Sequence, residues 1–349
     1  MLIYILLVLL IIILPIFKIS KKKYCIIIGV AMTLIVGFRD INLGMNDTSL
    51  IYLPIFSELS KLSISESFNF IKNSNIEVVF YMLTRFYLII TNNYRIYLII
   101  LAMPLNFFVS RFIYKYSKIP FLSFIIFFSL NYFAMEFTLL KHCIALSILI
   151  LSYDYIVKKD FKRFVLVVIL AAFFHRTALI FLIVYPLGNL KTGYKNISAI
   201  VISLFASVAI GKDILNVLIL AININHYTKY INADSNTLTF FFLNLFIFLF
   251  VIIFFKKYKK ENEYNRLMNI FTIGICISAF STTIGESLRM STYFTIYSLI
   301  LLPNAINVIT QRVNKDIIII LLSFLLIMYF FLFTMNNNMI YPYIFGELN

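Results

Sequence analysis

Four short groups of residues could do chemistry inside an otherwise apolar chain. Leu139-Leu140-Lys141-His142 and Phe173-Phe174-His175-Arg176 each place a cation beside a histidine within an apolar run. An ionisable group at the centre of a membrane helix costs about 2.5–3.5 kcal/mol on insertion scales, so such groups usually face a bundle interior or a wet cavity. Arg39-Asp40-Ile41-Asn42-Leu43-Gly44-Met45-Asn46-Asp47, followed by Tyr52, sets an arginine and two acids around a glycine-containing turn. In Gly285-Glu286-Ser287-Leu288-Arg289, followed by Tyr293-Phe294, Glu286 and Arg289 stand at i and i+3 and share a helix face.

The planar donor fork of arginine suits phosphate oxygens. Histidine titrates near neutral pH and can act as a general base, and Asp47 could serve as a base or hold sugar hydroxyls. Each group also has a plainer reading. Arg39 can be a helix-end residue at the headgroups, and Lys141 a structural partner of Glu136 or Asp154. His175 can be a satisfied core residue, and Glu286–Arg289 a simple salt bridge. The sequence has no P-loop, no GxGxxG, no GxSxG, no His-Glu-x-x-His and no Asp-x-Asp motif. Its three histidines (His142, His175, His226) and three cysteines (Cys25, Cys143, Cys276) do not cluster. No metal site and no cofactor are expected.

Composition says what must position these residues. The 349-residue chain is 62% hydrophobic and 13% charged, against about 45–50% and 25% in soluble domains. Apolar runs of membrane length recur from Leu2 to Thr334, which predicts an all-α, polytopic membrane protein of one domain over 1–349. Candidate spans are 2–18, 24–38, 76–90, 94–113, 119–135, 137–157, 164–187, 197–220, 238–255, 267–284, 290–309 and 316–334. That gives about 12 crossings, within bounds of roughly 11 to 14, several of them short or broken. Pro104 and Pro303 fall within spans, and Gly211-Lys212-Asp213 interrupts another. The net charge of +15 is concentrated in short loops, where it reads as a topology signal rather than a nucleic-acid surface.

Loops 18–23, 158–163, 256–266 and 311–315 should lie on the cytoplasmic side. An odd number of candidate spans separates the second loop from the third. Splitting 164–187 at His175-Arg176 into two short helices restores parity and puts His175 at an outer tip. The basic stretch 111–118 conflicts with loop 18–23 on the same rule: either it lies outside, or one early segment does not cross. The polar connections at about 39–75 and 221–237 are expected outside, the first containing amphipathic interfacial helices over 49–56 and 59–71.

Taken in order, these residues resemble the EpsG/Wzy-type polysaccharide polymerases of bacterial exopolysaccharide, capsule and O-antigen pathways. The resembling blocks are Phe38-Arg39 with Gly44 to Asp47 and Tyr52, Lys141-His142-Cys143-Ile144-Ala145-Leu146, Phe174-His175-Arg176-Thr177-Ala178-Leu179, and Arg289 with Tyr293-Phe294 and Leu302-Pro303. One block departs from the family pattern. Lys141-His142 stands where Arg-Gln is usual, which keeps the charge but loses the planar fork.

The resemblance implies a multi-pass enzyme of the bacterial cytoplasmic membrane. It would move a growing glycan from undecaprenyl diphosphate onto an incoming lipid-linked repeat unit at the outer face, without a metal. Its partners would be the lipid-linked oligosaccharide, the bilayer, a flippase and a chain-length regulator. On that reading His175 or Asp47 is the base, and Arg39, Lys141, His142, Arg176, Glu286 and Arg289 bind diphosphate or sugar. Two rival readings are a flippase of lipid-linked oligosaccharide, which would ordinarily show two similar halves, and a membrane O-acyltransferase, which would need an acyl donor.

Overall fold

A computed structural model of the chain describes residues 1–44, 48–73, 78–222, 238–254 and 261–346. Every regular element among them is helical. The helices in chain order are α1 (Leu2–Ile13), α2 (Lys21–Gly37), α3 (Leu53–Lys61), α4 (Ile64–Asn73), α5 (Val78–Ile90), α6 (Tyr94–Tyr116), α7 (Pro120–Ser129), α8 (Leu140–Val157) and α9 (Phe161–Phe174). They continue with α10 (Val184–Leu187), α11 (Tyr194–Ile222), α12 (Leu238–Phe254), α13 (Glu261–Ser278), α14 (Glu286–Thr295), α15 (Ser298–Asn307), α16 (Arg312–Tyr329) and α17 (Met335–Asn337).

Side-chain caps set several of the starts. Ser20 begins α2, Asn93 begins α6 and Asp160 begins α9, each side chain accepting from the backbone N–H three residues on. Ser63-x-x-Glu66 closes a reciprocal capping box at α4: Glu66 N–H donates to Ser63 Oγ (3.3 Å) and Ser63 N–H donates to Glu66 Oε2 (2.8 Å).

Among the described residues, four helices are long and apolar enough to cross a bilayer: Tyr94–Tyr116, Leu140–Val157, Tyr194–Gly211 and Arg312–Asn337. The remaining apolar helices have 10–17 residues. Several runs that looked like full spans are therefore interrupted. The run 119–135 stops at Ser129, 290–309 divides between α14 and α15, and 164–187 breaks at His175, where the backbone becomes extended (φ −154°, ψ 111°). Conversely, α11 runs straight through Gly211-Lys212-Asp213 and α6 through Pro104.

The chain divides into two compact units, Met1–Leu179 with Asp316–Asn349, and Ile180–Lys315. In the first, α2 and α6 pack closely because Gly29 and Gly37 leave room; a Cβ there would run into Ser110 and Ile99. The two helices are antiparallel. Lys21 Nζ donates to Ser117 O (2.6 Å) at one end, and Arg95 Nη1 donates to Gly37 O (3.1 Å) at the other. Lys115 and Arg111 meet Asp154 at the far end of α8 (2.7 and 3.9 Å).

Residues 18–23, 111–118 and 154–163 thus share one basic end of the first unit. The 13 residues of α5 span only about 20 Å. With α3 and α4 it forms a cap at the opposite end. There Arg85 reaches Leu59 O (3.2 Å), and Phe56 packs against Tyr87, Tyr94 and Tyr97.

In the second unit, α13 is central and packs against α11, α12, α14 and α15.

Candidate functional site

The opposite end of the first unit gathers three of the four sequence groups. Its floor is residues 130–139, a non-helical stretch with one 3₁₀ turn at Ala134–Phe137. Almost all of it is buried, and Asn131 is in the left-handed region (φ 74°). Irregular backbone at membrane depth is tolerated only where protein or a watery cavity covers it. Here the cover is the turn after α2.

Gly44 (φ 85°) lies so close to Phe137 and Thr138 that no Cβ would fit. Arg39 is fully buried. Its Nη1 donates to Val36 O (2.6 Å), and its Nη2 donates to Thr48 Oγ1 (3.0 Å) and Phe137 O (3.1 Å). The guanidinium carbon stands 5.5 Å from the centroid of the Phe137 ring. The C-terminal tail closes the turn from the other side: Asp40 N–H donates to Ile344 O (2.8 Å) and Gly346 N–H to Phe38 O (3.0 Å).

Beneath Arg39 lies a residue the sequence reading considered only as a partner for Lys141. Glu136 is 1% exposed, and its Oε2 accepts from Asn106 Nδ2 (2.7 Å). Its Oε1 has no hydrogen-bond partner among the described residues. The other proposed partner, Asp154, is held by Lys115 and Tyr116 instead. The available signal for Glu136 was the same one that drew attention to Lys141, an ionisable residue in an apolar run. Arg95, buried against Gly37 O and Arg39 O, was missed for the same reason.

Lys141 and His142 open α8 directly after this floor. The backbone N–H of Lys141 donates to Tyr52 Oη (3.4 Å), and its Nζ lies 5.8 Å from the Phe80 centroid. The Tyr52 and Phe80 rings meet at 5.5 Å. His142 is buried, and its ring stands 5.5 Å from that of His175, nearly perpendicular (81°). The two histidines are 33 positions apart in sequence, and the break at the end of α9 brings them together. His175 and Lys141 are half-buried, whereas Arg176 is exposed. No ligating cluster of three His, Cys, Asp or Glu occurs among the described residues. Asp47 lies outside the described residues, as does His226.

In the second unit, Glu286 opens α14 and pairs with Arg289 (Oε1–Nη1 3.1 Å), as their spacing suggested. The Glu286 side chain is 10% exposed and that of Arg289 35%, so the arginine is the accessible partner. Tyr293 and Phe294 are fully buried, and the Phe294 ring packs on Phe181 at 5.2 Å. They serve packing.

The first-unit cluster can do two things. It offers a histidine open enough to take a proton, backed by a second histidine and flanked by cations. It also joins Lys141, the neighbour of His142, to Tyr52 at the end of the 48–52 turn. The model of the EpsG family matches residues 22–345, nearly the whole chain. No curated protein and no solved structure matches it.

Proposed function

Because the chain belongs to the EpsG family, and so to the membrane proteins of polysaccharide biosynthesis, we propose that it is a polysaccharide polymerase of the bacterial cytoplasmic membrane. Roughly a dozen apolar segments embed it there, with the Arg39–Tyr52 turn and the histidine pair toward the outer face. The proposed donor is a glycan on undecaprenyl diphosphate, and the acceptor is the terminal sugar hydroxyl of an incoming lipid-linked unit. The bond from the anomeric carbon to the diphosphate oxygen breaks as the new glycosidic bond forms. The hydroxyl proton passes to a base, and the diphosphate leaves with the bonding electrons.

His175 is the base in this reading, with Asp47 as the second candidate. Lys141 and Arg176 in the first unit are the cations for diphosphate charge, and Arg289 in the second is assigned to substrate binding on its own. His142 orients His175, and Glu286 orients Arg289. Arg39 is assigned a framing role, since both its Nη groups already donate to protein oxygens. The observation that carries the proposal is the convergence of Tyr52, Lys141 and His142 with His175 from three separate stretches of sequence.

The test is polymerisation by purified protein given lipid-diphosphate-linked repeat units without nucleotide sugar or acyl donor. The expected product is a ladder of longer lipid-linked glycans. His175→Ala should slow it by about 10²–10⁴-fold, the usual worth of a positioned general base, with little change in unfolding temperature. Active, folded protein that makes no ladder from the correct unit would overturn the proposal, and wild-type rates in His175→Ala would remove His175 from it.

A further inference from the structure

The second unit contains a cavity of about 730 Å³, within the range that holds small ligands. It lies between the 187–196 turn, the start of α11, α13 and the start of α14. Along its length the walls are apolar, as at Leu187, Ile273, Ile277, Phe280 and Ile284. From Asn269 to Ile284 the slot follows α13 and the 3₁₀ turn after it for roughly 20 Å. One leaflet of a bilayer has about 15 Å of hydrocarbon, half of its ~30 Å core. The slot is long enough for one lipid chain.

Its two ends differ. At the turn end Asn196 Nδ2 donates to Asn269 Oδ1 and Thr272 Oγ1 (both 2.9 Å), Asn269 Nδ2 donates to Leu190 O (2.6 Å), and Thr192 Oγ1 donates to Asn265 Oδ1 (2.5 Å). These side chains satisfy one another and ask for no polar ligand deep in the slot. Lys191 and Lys195 stand at the same end, are exposed and line the cavity. Neither has an ion-pair partner among the described residues, and no acidic residue lines the cavity.

We propose that this cavity binds one anionic phospholipid, its chain along α13 and its phosphate on Lys191 and Lys195. An ordinary phospholipid fits better than the glycan carrier. The cationic turn bonds to Asn265 and Arg266 of α13, beside the basic 256–266 segment, which belongs on the cytoplasmic side. A carrier bearing its glycan outside would present its diphosphate at the other end. The lipid site is therefore separate from the proposed catalysis.

The test is native mass spectrometry of the delipidated full-length protein with phosphatidylglycerol, phosphatidylethanolamine or undecaprenyl phosphate added separately and in competition. One phosphatidylglycerol should be retained. Lys191→Ala with Lys195→Ala should weaken it by about tenfold and leave phosphatidylethanolamine unchanged, while Ala199→Trp, which fills the slot, should weaken both. Phosphatidylglycerol should also slow maleimide labelling of Cys276, which lines the slot and is half-buried, in unmutated protein. Retention within twofold in the lysine variant would overturn the proposal, as would unchanged labelling of Cys276. Displacement by equimolar undecaprenyl phosphate would reassign the site to the carrier.

Discussion

Two irregular segments in this molecule are stabilised by opposite means. The 130–139 floor of the first unit is buried and held through ionisable side chains: Arg39 grips Phe137 O, and Glu136 accepts from Asn106. The 188–196 turn of the second unit is held mainly by neutral groups, with one bond from a cation, Arg266 Nε to Asn189 Oδ1 (3.2 Å). Asn265, Asn269 and Thr272 lie on one face of α13, at helical spacing, and reach Thr192, Asn196 and the carbonyls of Gly188 and Leu190. Neutral side-chain amides fix a turn at modest cost. Buried charges cost far more to desolvate and are weak devices for stability alone. Their presence in the segment that leads directly into Lys141-His142 puts a costly device beside the proposed site.

The contrast is testable. Removing either ionisable side chain should strand the buried groups it bonds: Val36 O, Thr48 Oγ1 and Phe137 O for Arg39, and Asn106 Nδ2 for Glu136. Glu136→Ala or Arg39→Ala is expected to cost about 3–5 kcal/mol of stability, read from denaturant or thermal unfolding in detergent. The double variant Arg39→Met with Glu136→Leu should lose less than the sum of the single losses, since both groups are buried against the same 130–139 floor. Additive losses would show that the charges act independently and that the floor is no different in kind from the turn. Asn269→Ala, the matching test in the second unit, removes hydrogen bonds to Leu190 O, Gly188 O and Asn196. It should cost about 1–3 kcal/mol and speed amide exchange around Leu190–Asn196 without touching polymerisation. A loss as large as that of Glu136→Ala would collapse the comparison.

How much of this could be read from the sequence follows from range. The break at His175 was legible because loop charge demands parity, and the pairing of Glu286 with Arg289 because i,i+3 geometry is local. The convergence of Tyr52, Lys141 and His175 was legible only as an ordered set of motifs, since nothing local links position 52 to 141 or 142 to 175. Three things were not legible. The burial of Arg39 depends on carbonyls at 36 and 137 that any sequence would supply. The stop at Ser129 depends on the left-handed Asn131 and not on hydropathy, which continues unbroken. The division into two units leaves no mark because both share one apolar composition.

The smallest expected effect lies in the cap over the first unit, at the capping box of α4. Glu66 is exposed, and its hydrogen bonds from Ser63 hold its carboxyl below the usual carboxylate range. A group whose folded pKa is depressed contributes stability above its unfolded pKa and loses it as pH falls through the folded value. Protection of the α4 amides against exchange, normalised for intrinsic rates, should therefore stay flat from neutral pH to the top of the carboxylate range and decline below it. Ser63→Ala should lower protection at neutral pH and flatten that decline, because the box is then open at every pH. The buried Arg39–Glu136 set should not follow the same curve. A floor that loosened in step with α4 would mean that the cap controls it, and that Arg39 and Glu136 do not hold it alone.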